Sequence, residues 1–235
     1  MKSKKTLLAV ALSAGLFSVT SANAALELTL YYEGDYRGVY DTDLNITWMR
    51  NADLATSNTF GVSGIHVGGG MNWNTAQSWI SAMNAANYLG FNDWRLPTTL
   101  QPDLSCSYHQ TGSSISYGYN CTGSEMGHLF YNELGGTADS SILSSSDPDL
   151  ALFQNVHPRY YWSGTEFLLG PGWAWFFRAN EGTLSAYDKS AFFSAWAVRD
   201  GGAPVSAVPE PETYTMLLAG LGLLSFAARR RKQSA

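Results

Sequence analysis

The 235-residue sequence predicts an α+β domain spanning residues 25–200. Three features carry that prediction: period-two alternation from Ala25 to Arg50, two helical apolar stripes in the middle of the chain, and three aromatic strand-like runs near its end.

Before the domain, Lys2, Lys4 and Lys5 precede an apolar stretch from Thr6 to Val19 that closes in Ala22-Asn23-Ala24. This is the order of a secretion signal over residues 1–24, with cleavage between Ala24 and Ala25 and export by Sec-type machinery. The apolar run falls short of the ~20 residues that a membrane span needs.

Within the domain, Arg37 to Trp48 reads as two strands meeting at an Asp/Asn turn. Glycines 68, 69 and 70 break the chain. A helix follows from Asn74 or Thr75 to about Asn87, with Ala76, Trp79, Ile80 and Met83 on one buried face. A second helix is expected from Ser124 to Leu134, where Met126, Leu129, Phe130 and Leu134 share a stripe and Gly135-Gly136 ends it. Residues 137–150, rich in Ser and Asp, read as a surface loop. Strands are expected at 160–165, 172–177 and 194–199.

Both cysteines, Cys106 and Cys121, lie in the exported region, where an oxidising compartment favours a disulfide. Closing a loop of ~15 residues stabilises a Ser/Gly/Tyr-rich excursion by ~3 kcal/mol in the chain-entropy account. The four histidines fall at no ligand spacing, so no metal is expected from the sequence. The net charge of −5 understates the acidity of the domain, because basic residues concentrate at both ends of the chain. That acidity excludes nucleic acid as a partner.

Behind the domain comes a small-residue linker, 201–208, and then a tail, 209–235. The tail holds Pro209-Glu210-Pro211, an apolar helix expected at 213–228, and Arg229-Arg230-Arg231-Lys232. Sixteen helical residues rise ~24 Å, short of a ~30 Å hydrocarbon core, which suits a transient anchor with its basic cluster on the cytoplasmic side. The three parts in this order resemble the PEP-CTERM sorting signal of Gram-negative bacteria. The resemblance implies an exosortase as partner, cutting near the motif, and an association with exopolysaccharide or biofilm. The protein is then expected first at the periplasmic face of the inner membrane, and at the outer surface or outside the cell after processing.

Asp93-Trp94-Arg95-Leu96-Pro97-Thr98 after a helix, the later Tyr161-Trp162-Ser163 strand, the aromatic strand followed by Gly182, and the closing Trp196-Ala197-Val198-Arg199 carry a second resemblance. From about Val39 to Gly201 the chain resembles the Lcl C-terminal domain, also known as DUF1566. That family is similar to C-type lectin-like folds, which implies two helices, a small twisted antiparallel sheet and long irregular loops.

No Gly-x-Ser-x-Gly elbow is present and neither cysteine has a His partner in sequence, so no catalytic residue is assigned. Trp162, Trp173 and Trp175, with Glu166, are the candidate ligand-binding residues, because aromatic faces can stack on sugar rings. Asp147, Asp149 and Glu166 offer carboxylates to a calcium ion, but two carboxylates in one loop do not define a site, and a solvated loop is the preferred reading. Gln101-Pro102-Asp103 matches a lectin tripeptide but lacks a downstream Trp-Asn-Asp partner. The expected function is a non-enzymatic binding or structural module with polysaccharide or a matrix protein as partner. The alternative is an envelope enzyme acting on carbohydrate or peptide through a fold like that of formylglycine-generating enzymes.

Overall fold

The structure, a computed structural model, describes residues 25–202. Ala22 and Ala24 of the expected cleavage site, most of the linker, Pro209-Glu210-Pro211, the helix expected at 213–228 and the cluster Arg229 to Lys232 lie outside the described residues.

Strands β1 (Leu26–Tyr32), β2 (Asp35–Asp41) and β3 (Ile46–Met49) form an antiparallel meander. The β2–β3 turn is set by Asp41, whose Oδ1 accepts the N–H groups of Asp43 and Leu44 at 3.1 and 2.9 Å. After a four-residue helix α1 (Leu54–Ser57) and a glycine-rich loop comes α2 (Trp73–Ala85). Asn72 caps α2 by accepting from Thr75 N at 2.8 Å, ahead of both Asn74 and Thr75 where the sequence suggests the start, and Trp73, Ala76, Trp79, Ile80 and Met83 are buried.

The short pair β4 (Tyr108–His109) and β5 (Ser116–Tyr117) lies inside the loop closed by the Cys106–Cys121 disulfide. The second expected helix divides. Helix α3 (Glu125–His128) runs directly into a π turn, Leu129–Glu133, in which Leu134 N donates to Leu129 O at 3.0 Å. Next come β6 (Tyr160–Glu166), β7 (Trp173–Arg178) and β8 (Thr183–Asp188), followed by β9 (Val198–Asp200).

The expected architecture needs correction. In place of one small sheet with two helices, the described residues form a four-stranded sheet β1-β2-β3-β9, a three-stranded sheet β6-β7-β8 and the two-stranded β4-β5, with three short α-helices. Among the described residues no helix is long and apolar enough to cross a membrane. The physical reason for the split is the segment expected as one strand at 194–199. Ser194 exchanges backbone bonds with β6, through Trp162 N to Ser194 O and Ser194 N to Tyr160 O, whereas Val198 pairs with β3. Between them Trp196 buries its ring against Trp48, Phe153 and Tyr161, with centroids 5.2–5.5 Å away. The chain therefore passes from one sheet to the other. β8 is not evident in the sequence because its residues neither alternate nor form an apolar run, and Tyr187 and Asp188 at its end are exposed.

Long loops stay ordered because buried indoles demand acceptors. Trp73, Trp79, Trp94, Trp162 and Trp196 donate Nε1–H to the carbonyls of Ser163, Asn58, Tyr88, Met71 and Met49, at 2.7–3.1 Å. Burying one indole removes on the order of 200 Å² from water, about 5 kcal/mol of transfer free energy as an upper estimate.

Two arginine clamps complete the frame. Arg95 forks onto both oxygens of Glu125 at 2.7 and 2.8 Å and onto Asp200 at 2.6 Å, and these partners hold its pKa above the ordinary value despite burial. Arg199 grips Asp93 twice at 3.0 Å and lies over the Phe91 ring.

The disulfide loop rests on β8 through Gly118 and Leu184, which exchange backbone bonds at 2.8 and 2.9 Å. Replacing Cys106 and Cys121 together by serine is expected to lower unfolding stability by ~3 kcal/mol in a denaturant titration. A loss below ~0.5 kcal/mol would show that contacts with β8 alone order this loop.

Candidate functional site

An open groove of about 590 Å³ lies at the start of β6. That volume is in the range of ligand sites, ~300–1,000 Å³. Three segments build it: the glycine loop 66–70, residues 158–160 leading into β6, and residues 192–194, with Asn180 from the β7–β8 turn at its edge.

The glycine loop closes on itself through His66 N to Gly70 O and Gly69 N to His66 O, both 2.9 Å. Gly69 sits at φ +79, and a Cβ there would collide with Asp53 Oδ1 and Thr56 Oγ1, so this position needs glycine. Arg159 fastens the loop from the other wall by donating Nη1–H to Gly68 O at 2.6 Å. Asp53, buried behind it, lies 3.5 Å from Arg159 Nη1 and 3.3 Å from His157 Nε2. Tyr161 anchors the same segment: its hydroxyl accepts from His157 N at 3.2 Å and donates to His157 O at 3.1 Å, and burial pushes its pKa up to about 12.

The floor is aromatic. Phe193 stacks among Trp162, Phe176 and Tyr160 at centroid distances of 4.4, 4.6 and 5.3 Å, while Arg178 lies 5.4 Å over the Tyr160 ring. Backbone bonds between Met71 and Phe193 close one end, and Trp162 Nε1–H secures Met71 O. At the rim, Phe192 is 55% exposed and meets the His66 ring edge-on at 4.3 Å. The lining combines apolar ring surface, the Asn180 amide and the Arg159 cation, and includes no carboxylate. Such a surface can stack against and hydrogen-bond a polar chain.

The residues singled out in the sequence do not line this groove. Trp162 and Trp175 are core side chains at 0% and 2% exposure, so the ring faces expected to meet ligand are covered by protein. Trp173 is 44% exposed and Glu166 is ion-paired to Lys189 Nζ at 3.0 Å, but both sit at the end of β6-β7 remote from Tyr160. Asp147 caps the turn Pro148–Leu152 by accepting from Asp149 N at 3.0 Å. Among the described residues Asp147, Asp149 and Glu166 do not converge as a ligand set. Asp103 lies beside Cys106 and Cys121, whose sulfurs are spent on each other.

Tyr160, Arg159, Asn180 and Phe192 were not found from the sequence. The available signal was Gly68-Gly69-Gly70 next to His66, which marks a close backbone approach as well as a chain break.

The Lcl C-terminal domain matches the chain over residues 37–199, which include every groove residue. The PEP-CTERM protein-sorting motif matches residues 207–232, which include Pro209, Glu210, Pro211 and the basic cluster. No curated protein matches the chain.

Proposed function

The chain belongs to the Lcl C-terminal domain family, and from that membership and the PEP-CTERM motif behind the domain we propose an exported surface or matrix protein that binds polysaccharide without catalysing a reaction. The motif implies sorting by an exosortase after Sec-dependent export.

The groove at the start of β6 is the observation that carries the binding reading. It is open, which suits a segment of a polymer better than a small molecule enclosed on all sides. Phe192 and Tyr160 offer ring faces to the C–H surface of a sugar, and Asn180 and Arg159 offer donors to its hydroxyl groups. Arg159 lines the groove as a partly exposed cation with Asp53 3.5 Å behind it, and its outward N–H groups suit a polysaccharide that carries carboxylates of its own. The acidic domain around it then limits unspecific adhesion to other anionic polymers.

Two outcomes are expected. Intact-mass analysis of the native protein from cells with an active exosortase should give a chain that begins at Ala25 and lacks the region beyond Pro209. The same analysis in exosortase-deficient cells should find the tail retained, and identical masses from both strains would refute sorting by this enzyme. In a pull-down on the producing organism's matrix polysaccharide, Phe192→Ala should weaken retention ~10-fold, the loss of one stacking contact of about 1.4 kcal/mol. Unchanged retention would remove the groove from the account, and retention only on matrix protein would replace the polysaccharide.

A further inference from the structure

We infer that Asp41, His128 and Glu133 form a structural site for one divalent transition-metal ion, of the zinc or manganese type. The cluster lies away from the groove, where the β2–β3 turn meets α3 and its π turn. One ligand atom from each residue lies within 4.8 Å of the other two, and all three side chains are buried.

The backbone explains the convergence. His128 and Glu133 are five residues apart, a spacing that points in diverging directions on an α-helix but aligns on a π turn, whose bonds run from residue i to i+5. The π turn Leu129–Glu133 thus brings Glu133 Oε1 to 3.0 Å from His128 Nε2. Asp41 arrives from the other side, fixed by the turn it caps through Oδ1. Its Oδ2 has a single distant donor, Trp48 Nε1 at 3.5 Å, although Asp41 is fully buried.

Charge makes the same demand. Two buried carboxylates face one imidazole, and among the described residues no Lys or Arg pairs with either carboxylate. A divalent cation satisfies this excess of buried negative charge with donors already in place. One imidazole nitrogen with two carboxylate oxygens fits zinc or manganese better than calcium, which takes six to eight oxygens. Asn132 Nδ2 stands 3.1 Å from His128 Nδ1. Turning that amide over presents Oδ1 to Nδ1–H, which frees Nε2 for the metal and orients the ring. The ion would pin the N-terminal sheet to the helix that follows the disulfide loop.

The test takes the exported protein, strips it with chelator under denaturant with the disulfide intact, and refolds it with Zn²⁺ or Mn²⁺ alone. We expect one equivalent retained after gel filtration and a higher melting temperature than that of the metal-free protein. Glu133→Gln and Asp41→Asn should each weaken retention at least tenfold. The wild-type stoichiometry reads the site even if a variant fails to fold. No retention of either ion by the wild type would overturn the inference. So would one equivalent retained undiminished in both folded variants, or lost only in His157→Gln, which would put the ion at the groove.

Discussion

The buried indole N–H is the constraint on which this fold depends. A tryptophan ring brings a large apolar area and one donor that cannot stay unpaired inside the protein. For Trp73, Trp79, Trp94, Trp162 and Trp196 the acceptors are backbone carbonyls of other segments, so each of these rings fixes a stretch of chain as well as filling the core. Trp196 bonds Met49 O while packing against Trp48 and Tyr161, and thereby joins the two larger sheets. Trp162 bonds Met71 O, which sets the glycine loop beside β6, and the groove is lined by residues of both segments. Trp73 bonds Ser163 O and ties the first turn of α2 to the same strand.

Around that core the charged residues of the Asp-Trp-Arg-Leu-Pro-Thr run serve architecture. Arg95 binds Glu125 and Asp200, Asp93 binds Arg199, and Pro97 O accepts from Ser163 Oγ and Gly164 N at 2.9 and 2.8 Å. The run that carries the family resemblance therefore frames the domain, and the groove proposed for recognition is lined by other segments. This division suits a scaffold that presents loops of differing chemistry.

What the sequence disclosed follows from the range over which each signal acts. The stripe of Ala76, Trp79, Ile80 and Met83 and the alternation of β2 and β6 are local, and the structure has a helix and strands there. The disulfide was legible because only two cysteines exist in the exported region. The sheet count was not, since the passage of residues 194–200 between sheets is decided by where Trp196 packs, a long-range matter. The π turn was hidden for a similar reason: Met126, Leu129, Phe130 and Leu134 fit an α-helical stripe, and nothing local reports the extra residue per turn. Counting tryptophans did not tell core rings from exposed ones. Aromatic strand residues are the ones a core claims first, so Trp162 and Trp175 went inside, while Phe192, in a segment with no periodicity, stayed at the surface.

Hydrogen exchange of the exported domain, followed by mass spectrometry with and without purified matrix polysaccharide, tests the central claim most directly. The account predicts slower exchange at residues 66–70, 158–160 and 192–194 with the four-stranded sheet unchanged. Polysaccharide-dependent protection confined to the disulfide loop or to β1-β2, or no protection at all, would contradict it.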